Sequence, residues 1–212
     1  MAEEPFSSQE KDAFAQMLLL ASTIDKSNNT KKLTTASPLA QGRKFIAKNQ
    51  KATTGSFTTN VPCGHQELIN FINMEAPSSD MYDRDEEVFN DHHQIKYYAM
   101  SLPKPVSDRE WRVSIMTKKI DDETIVKVCV PCFIEEKARN VHPDRVRAEL
   151  RSMYRLTKIS DSTTRVEFYA EIELGGYLPL WLINRELPKF MSTPTRWQEH
   201  FQHLRALREL GP

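Results

Sequence analysis

The sequence predicts an α+β domain in which a curved antiparallel sheet wraps around a long C-terminal helix. Three observations carry this expectation. Five segments between residues 94 and 174 alternate apolar and polar side chains with period two. The pair Gly175-Gly176 then ends the alternation. Beyond it, Leu187, Phe190, Met191, Trp197, Phe201, Leu204 and Leu207 recur at three- and four-residue steps, the spacing of a helix with one apolar face.

Taken in chain order, Ser7 and Glu10 have capping-box spacing, and Phe14, Met17, Leu18, Ala21 and Ile24 follow at helical intervals, so residues 7–24 read as an amphipathic helix. Residues 25–42 are rich in Ser, Thr, Asn and Lys and read as a polar loop. Residues 44–60 suggest a first hairpin, 64–74 a short helix, and the acidic stretch 78–91 a loop or irregular helix. The five alternating segments of 94–174 read as an antiparallel meander, and 179–209 as the C-terminal helix, restarted at Thr193-Pro194 after a bend. At 212 residues the chain can close one core without disulfides, so 1–212 is read as a single domain.

Composition narrows the function classes. Lys+Arg and Asp+Glu both number 29, which argues against a nucleic-acid partner. Three cysteines are too few for a disulfide scaffold and point to a reducing compartment, hence a cytoplasmic protein with at most peripheral contact with membranes. No apolar run approaches the ~18 residues of a transmembrane helix. Cys129-Val-Pro-Cys132 lacks a second ligand pair, and His92-His93 reads as two loop residues pointing apart, so neither a metal site nor a cofactor is expected. Gly-rich phosphate loops, G-x-S-x-G and H-E-x-x-H are absent, so no catalytic residue is assigned.

The parity of the strands defines a candidate inner face. On it stand Tyr97, Trp111, Val113, Ile115, Val126, Val128, Leu150, Tyr154, Val166, Phe168 and Ile172, with Ile95 and Val130, while small residues at Ala99, Ala148, Ser152 and Ala170 leave space. The face reads either as an ordinary core filled by helices or as the wall of a cavity.

Three motifs in this region resemble the StAR-related lipid-transfer (START) domain. Leu102-Pro-Lys-Pro-Val-Ser-Asp-Arg-Glu-Trp111 is similar to the family's proline-containing turn into an Arg-acidic-aromatic strand start. Pro143-Asp-Arg-Val-Arg-Ala148 resembles its valine-arginine-small segment, and Gly175-Gly-Tyr-Leu-Pro-Leu-Trp-Leu-Ile-Asn184 its approach to the last helix. The motifs stand in the family's order over about residues 90–210. The resemblance implies a helix-grip fold that binds one lipid in a tunnel between sheet and C-terminal helix, and carries or senses it as a monomer touching membranes transiently. The ligand wall would then be the parity set together with Ser152, Ala170, Phe190, Trp197 and Phe201.

Because no Lys or Arg falls securely on the expected inner face, the parity favours a neutral ligand such as a sterol, an acyl chain or a diacylglycerol. Arg109 is the one basic candidate for a polar contact, with a strand-end ion pair as its other reading. Trp181, Phe190 and Trp197 serve either a membrane-touching lid or the core. A hydrolase or cyclase working in the same cavity, and a protein-binding regulatory domain without transfer, remain open alternatives.

Overall fold

The computed structural model describes residues 5–28, 30–33, 41–45, 53–74, 81–135, 142–176, 178, 182–183 and 190–209. Helix α1 spans Ser8–Lys26, and the capping box forms as its spacing requires: the Ser7 N–H donates to the Glu10 carboxylate at 2.7 Å, and the Glu10 N–H to the Ser7 hydroxyl at 3.3 Å. Strands β1 (Thr30–Leu33), β2 (Gln41–Phe45) and β3 (Thr53–Val61) follow, then α2 (His65–Met74). Next come β4 (Met81–Asn90), β5 (His93–Met100), β6 (Arg109–Lys119), β7 (Thr124–Pro131), the short β8 (Val146–Arg147), β9 (Glu149–Ser160) and β10 (Thr163–Glu173). Helix α3 (Thr193–Glu209) closes the chain.

The sheet order is β1-β2-β3-β10-β9-β7-β6-β5-β4, antiparallel throughout, with β8 pairing parallel to β6. Strands β5, β6, β7, β9 and β10 form an antiparallel meander over the expected region, β4 extends it at one edge, and pairing of β3 with β10 attaches the N-terminal strands to its other end. Two expectations are corrected. The polar segment 25–42 contains β1 and the start of β2, and the acidic stretch 78–91 contains edge strand β4. An acidic edge strand is plausible physics, since charge on an exposed edge discourages pairing with other chains.

Both faces of the sheet are covered. On the convex face α1 lays Phe14, Met17, Ala21 and Ile24 against Met116, Val126, Val128, Val130, Met153 and Tyr169. Val126, Val128 and Val130, expected on the ligand side, therefore belong to the α1 platform. An amphipathic helix needs an apolar bed, and the middle strands supply it. Ile95, Tyr97 and Ala99 also lie on this convex face, because Tyr98 and Lys96, not they, pair with the inward Trp111 and Val113. The Tyr97 hydroxyl is engaged there by Glu110 at 3.1 Å and by Arg145.

The histidine reading is corrected as well. His92 and His93 both reach Glu10, at 3.4 and 2.9 Å, so they clamp the start of α1 to the β4–β5 turn.

Candidate functional site

Residues opposite one another on neighbouring strands share a face, so the register lays the concave wall out in rows. One row crosses six strands as Gly55, Ala170, Ser152, Cys129, Ile115 and Gln94. Its first four members are small. The row on one side is bulky, with Phe57, Phe168 and Tyr154, before it reaches Lys127. On the other side Ile172 pairs with Leu150, and Val113 with Lys96.

The two ends of this wall differ in how they are filled. Toward α2, Val166 and Leu156 join Leu68, Ile69, Trp197 and Phe201 in a closed cluster. Trp197 is 1% exposed and Phe201 4%, so these two predicted ligand residues act as core anchors of α3. Gln198 fixes the same helix to Thr59 through a 3.2 Å hydrogen bond. Trp181 lies outside the described residues.

Toward β5, the wall opens. Along the small-residue row, exposure rises from 0% at Ala170 through 3% at Ser152, 7% at Cys129 and 8% at Ile115, and Gln94 is half-buried. Tyr98, Met100, Tyr154, Leu174 and Phe190 are likewise half-buried while packing on the cluster that contains Trp111, Val113, Leu150, Phe168 and Ile172. Desolvation drives the Tyr98 phenol well above its usual range. Tyr98 thus stands half-buried on the concave side, opposite Trp111.

The inward polar groups are those of the parity that sequence reasoning discarded on β5 and β7. Lys96 lies 3.1 Å from the Glu86 carboxylate of the edge strand, with its side chain 16% exposed. Lys127, buried, donates to the Asn73 side chain at the end of α2. The expectation of an inner face without cations is thus overturned. Cys129 sits between these lysines: burial pushes its thiol up to about 12, opposed by Ser152 and by the positive charge of Lys127 and Lys96. Two buried polar atoms on this wall, Trp111 Nε1 and Gln94 Oε1, have no hydrogen-bond partner.

Arg109 is a structural clamp at the end of the sheet. It is 2% exposed, and its guanidinium donates to the carbonyls of Ser107, Leu174 and Gly175, which binds the start of β6 to the end of β10. The turn it holds requires glycine: Gly175 has φ +66°, and a Cβ there would stand 2.4 Å from the Arg147 carbonyl oxygen. Among the described residues no group of His, Cys, Asp and Glu could hold a metal ion, and no helix is long and apolar enough to cross a membrane.

Among the described residues, a ten-stranded curved sheet gripping a C-terminal helix, with an apolar concave wall, defines the helix-grip class of α+β domains. The START domain family model matches residues 79–209, more than half of the chain, and the chain belongs to that family, whose members bind lipids.

Solved structures agree on the fold. Human StAR-related lipid transfer protein 5 superposes with a TM-score of 0.72 at 12% identity, over 92% of this chain and 99% of that one. The human StarD13 lipid transfer and protein localization domain gives 0.67 at 14%, over 93% and 98%. A STAR-related lipid transfer protein of Xanthomonas axonopodis gives 0.68 at 14%, over 82% and 99%. In sequence, an uncharacterized protein of Pseudomonas aeruginosa is 27% identical over 90 residues, which are 42% of this chain and 43% of that protein. The match spans less than half of that relative's length.

Proposed function

We propose that the protein takes up a single lipid between the concave wall of the sheet and the C-terminal helix, and transfers it between membranes. The observation that carries this reading is the uneven burial of the wall, complete at Trp197 and Phe201 and only partial at Tyr98, Tyr154 and Phe190. An ordinary core buries its large apolar side chains throughout. Each methylene buried there would contribute about 0.8 kcal/mol, so a chain of roughly eighteen carbons would be held by about 14 kcal/mol, and exchange would need a membrane to receive it.

A binding role suits the chemistry of the wall better than a hydrolase or cyclase. At neutral pH a thiol held at about 12 stays protonated and is a weak nucleophile, and a phenol pushed well above its usual range is a poor base.

The test is native mass spectrometry of the purified chain, with organic extraction and identification of what it carries. A vesicle-to-vesicle assay with a fluorescent lipid then measures transfer. One lipid bound per chain and protein-dependent transfer are expected. A folded chain that carries no lipid and takes up none from vesicles would overturn the reading, and a chain that binds lipid without moving it would reduce it to sensing.

A further inference from the structure

We infer that Trp111 and Tyr98 hold the bound lipid by one uncharged oxygen, the carbonyl of an esterified acyl chain, which accepts one hydrogen bond from the indole N–H and a second from the phenol. The inference rests on the lipid-binding reading and names the group of the ligand that the wall recognises.

The register sets the two side chains together. Tyr98 of β5 pairs directly with Trp111 of β6, so both stand in one row of the concave face, where opposed side chains lie within reach of each other. Trp111 is 5% exposed, and its Nε1 has no hydrogen-bond partner. The Tyr98 hydroxyl makes no hydrogen bond to any described residue. Folded proteins pair nearly all of their buried donors, so two adjacent ones left open on this wall point to an acceptor that binding brings in. Met100, Leu174 and Phe190, half-buried on the same cluster, are the side chains that part to admit it.

The chemistry of the pair selects the acceptor. An indole N–H only donates, and the phenol, pushed well above its usual range by burial, keeps its proton at neutral pH. A carbonyl oxygen has two lone pairs and no proton of its own, so it satisfies both donors and leaves nothing unpaired. An alcohol in the same place accepts the same two bonds but brings a third donor, which the phenol cannot accept while donating back to it. A carboxylate fares worse. The charge of Glu86 already acts on the Tyr98 phenol, and the Lys96 ammonium, one row along, is paired with that same Glu86 at 3.1 Å. An added anion would meet the field of Glu86 with the adjoining cation already neutralised.

The experiment compares four probes that share one chain: methyl oleate, oleyl methyl ether, oleyl alcohol and oleate. Each displaces a pyrene-labelled acyl methyl ester from the full chain. Methyl oleate should bind about tenfold more tightly than any of the others, the effect of roughly 1.4 kcal/mol. Trp111→Phe and Tyr98→Phe keep the rings and remove the donors, so each should bring methyl oleate toward the ether and leave the ether's own affinity unchanged, with thermal melting establishing that the variants are folded. Should Trp111→Phe fail to fold, Tyr98→Phe decides. In addition, the indole N–H resonance of Trp111 should move downfield with methyl oleate and stay in place with the ether. Equal binding of ester and ether, tighter binding of the alcohol or of oleate, or an ester preference that survives the phenylalanine variants overturns the carbonyl assignment and leaves lipid binding intact. If neither the pyrene ester nor any of the four probes binds the folded chain, the underlying lipid reading falls instead.

Discussion

The two faces of the sheet are built from the same strands yet are packed to different ends. On the convex side, Met116, Val128 and Met153 are fully buried, as are Met17, Ala21 and Ile24 of α1. On the concave side the burial fades across the sheet, from Ala170 and Phe168 to the half-buried Gln94 and Tyr98. One face is a joint and the other is a joint only at its α2 end. The difference teaches that apolar character alone does not mark a ligand wall, because the more hydrophobic parity of β7 belongs to the joint.

The largest effect should come from breaking the joint. Met153→Ala removes a side chain with 0% exposure from beneath α1 and should destabilise the fold by about 2–5 kcal/mol, read by urea or thermal unfolding. Lipid affinity of the folded fraction should stay unchanged. Loss of binding at full folding would mean that the convex core shapes the ligand site too.

Much of this arrangement was legible in the sequence. Strands β6, β9 and β10 show clean alternation, and Trp111, Val113, Ile115, Leu150, Ser152 and Ile172 do lie on the concave side. The errors sit on β5 and β7, for a definite reason. In β7 the convex residues Val126, Val128 and Val130 are all apolar, whereas the concave ones are Ile125, Lys127 and Cys129, so the rule that the apolar parity faces the cavity picks the wrong side when a helix covers the back. The correct parity depends on the β6–β7 hairpin, where Lys119 pairs with Ile125; one residue more or fewer in that loop would exchange the faces. For β5, the eight residues of the 101–108 loop leave the register with β6 unconstrained by turn geometry. The α1 stripe was the overlooked signal, since it demands an apolar bed of its own.

A second prediction concerns the boundary between the sheet and the cover of the concave face. Gly175→Ala forces a side chain into a backbone conformation with φ +66° and into contact with the Arg147 carbonyl, beside the Arg109 guanidinium. A loss of about 1–3 kcal/mol is expected by thermal denaturation. A neutral result would mean that the turn and its arginine clamp rearrange freely and do not position the approach to α3.

Adding bulk in the proposed lipid space should affect function more than stability. Gln94→Trp adds bulk at a half-buried position of the open end, so the melting temperature should move by only a few degrees. Uptake of a fluorescent lipid should fall by about tenfold, the effect of losing roughly 1.4 kcal/mol of chain burial. A large fall in stability with no change in uptake would show that the open end is packed as tightly as the α1 joint, and the contrast between the faces would disappear.

The smallest expected effect is the pH dependence of the joint, which the concave wall should not share. Burial lowers the affinity of His93 for a proton, opposed by Glu10, while His92 beside it adds to the lowering. Burial alone would raise the Glu10 carboxyl, but hydrogen bonds from Ser7 and His92, with the charge of His92, together hold it below its usual value. Phe6 and Phe14 pack at the same corner under the Lys118 ammonium, and Phe89 and Phe133 flank His93. Both shifts act in one direction. As pH falls below about 6.5 the unfolded chain binds a proton at His93 that the folded chain resists, and below 4.5 the unfolded Glu10 is protonated before the folded one. Stability is therefore whole above about pH 6.5 and declines on acidification in two steps, first the histidine and then the carboxylate. Glu10→Gln should lower the melting temperature at pH 7 by a few degrees, since it removes a capping carboxylate and the anion between two imidazoles, and it should flatten the step below pH 4.5. An acid limb of unchanged steepness in that variant would locate the titration elsewhere and leave α1 fastened by apolar packing alone.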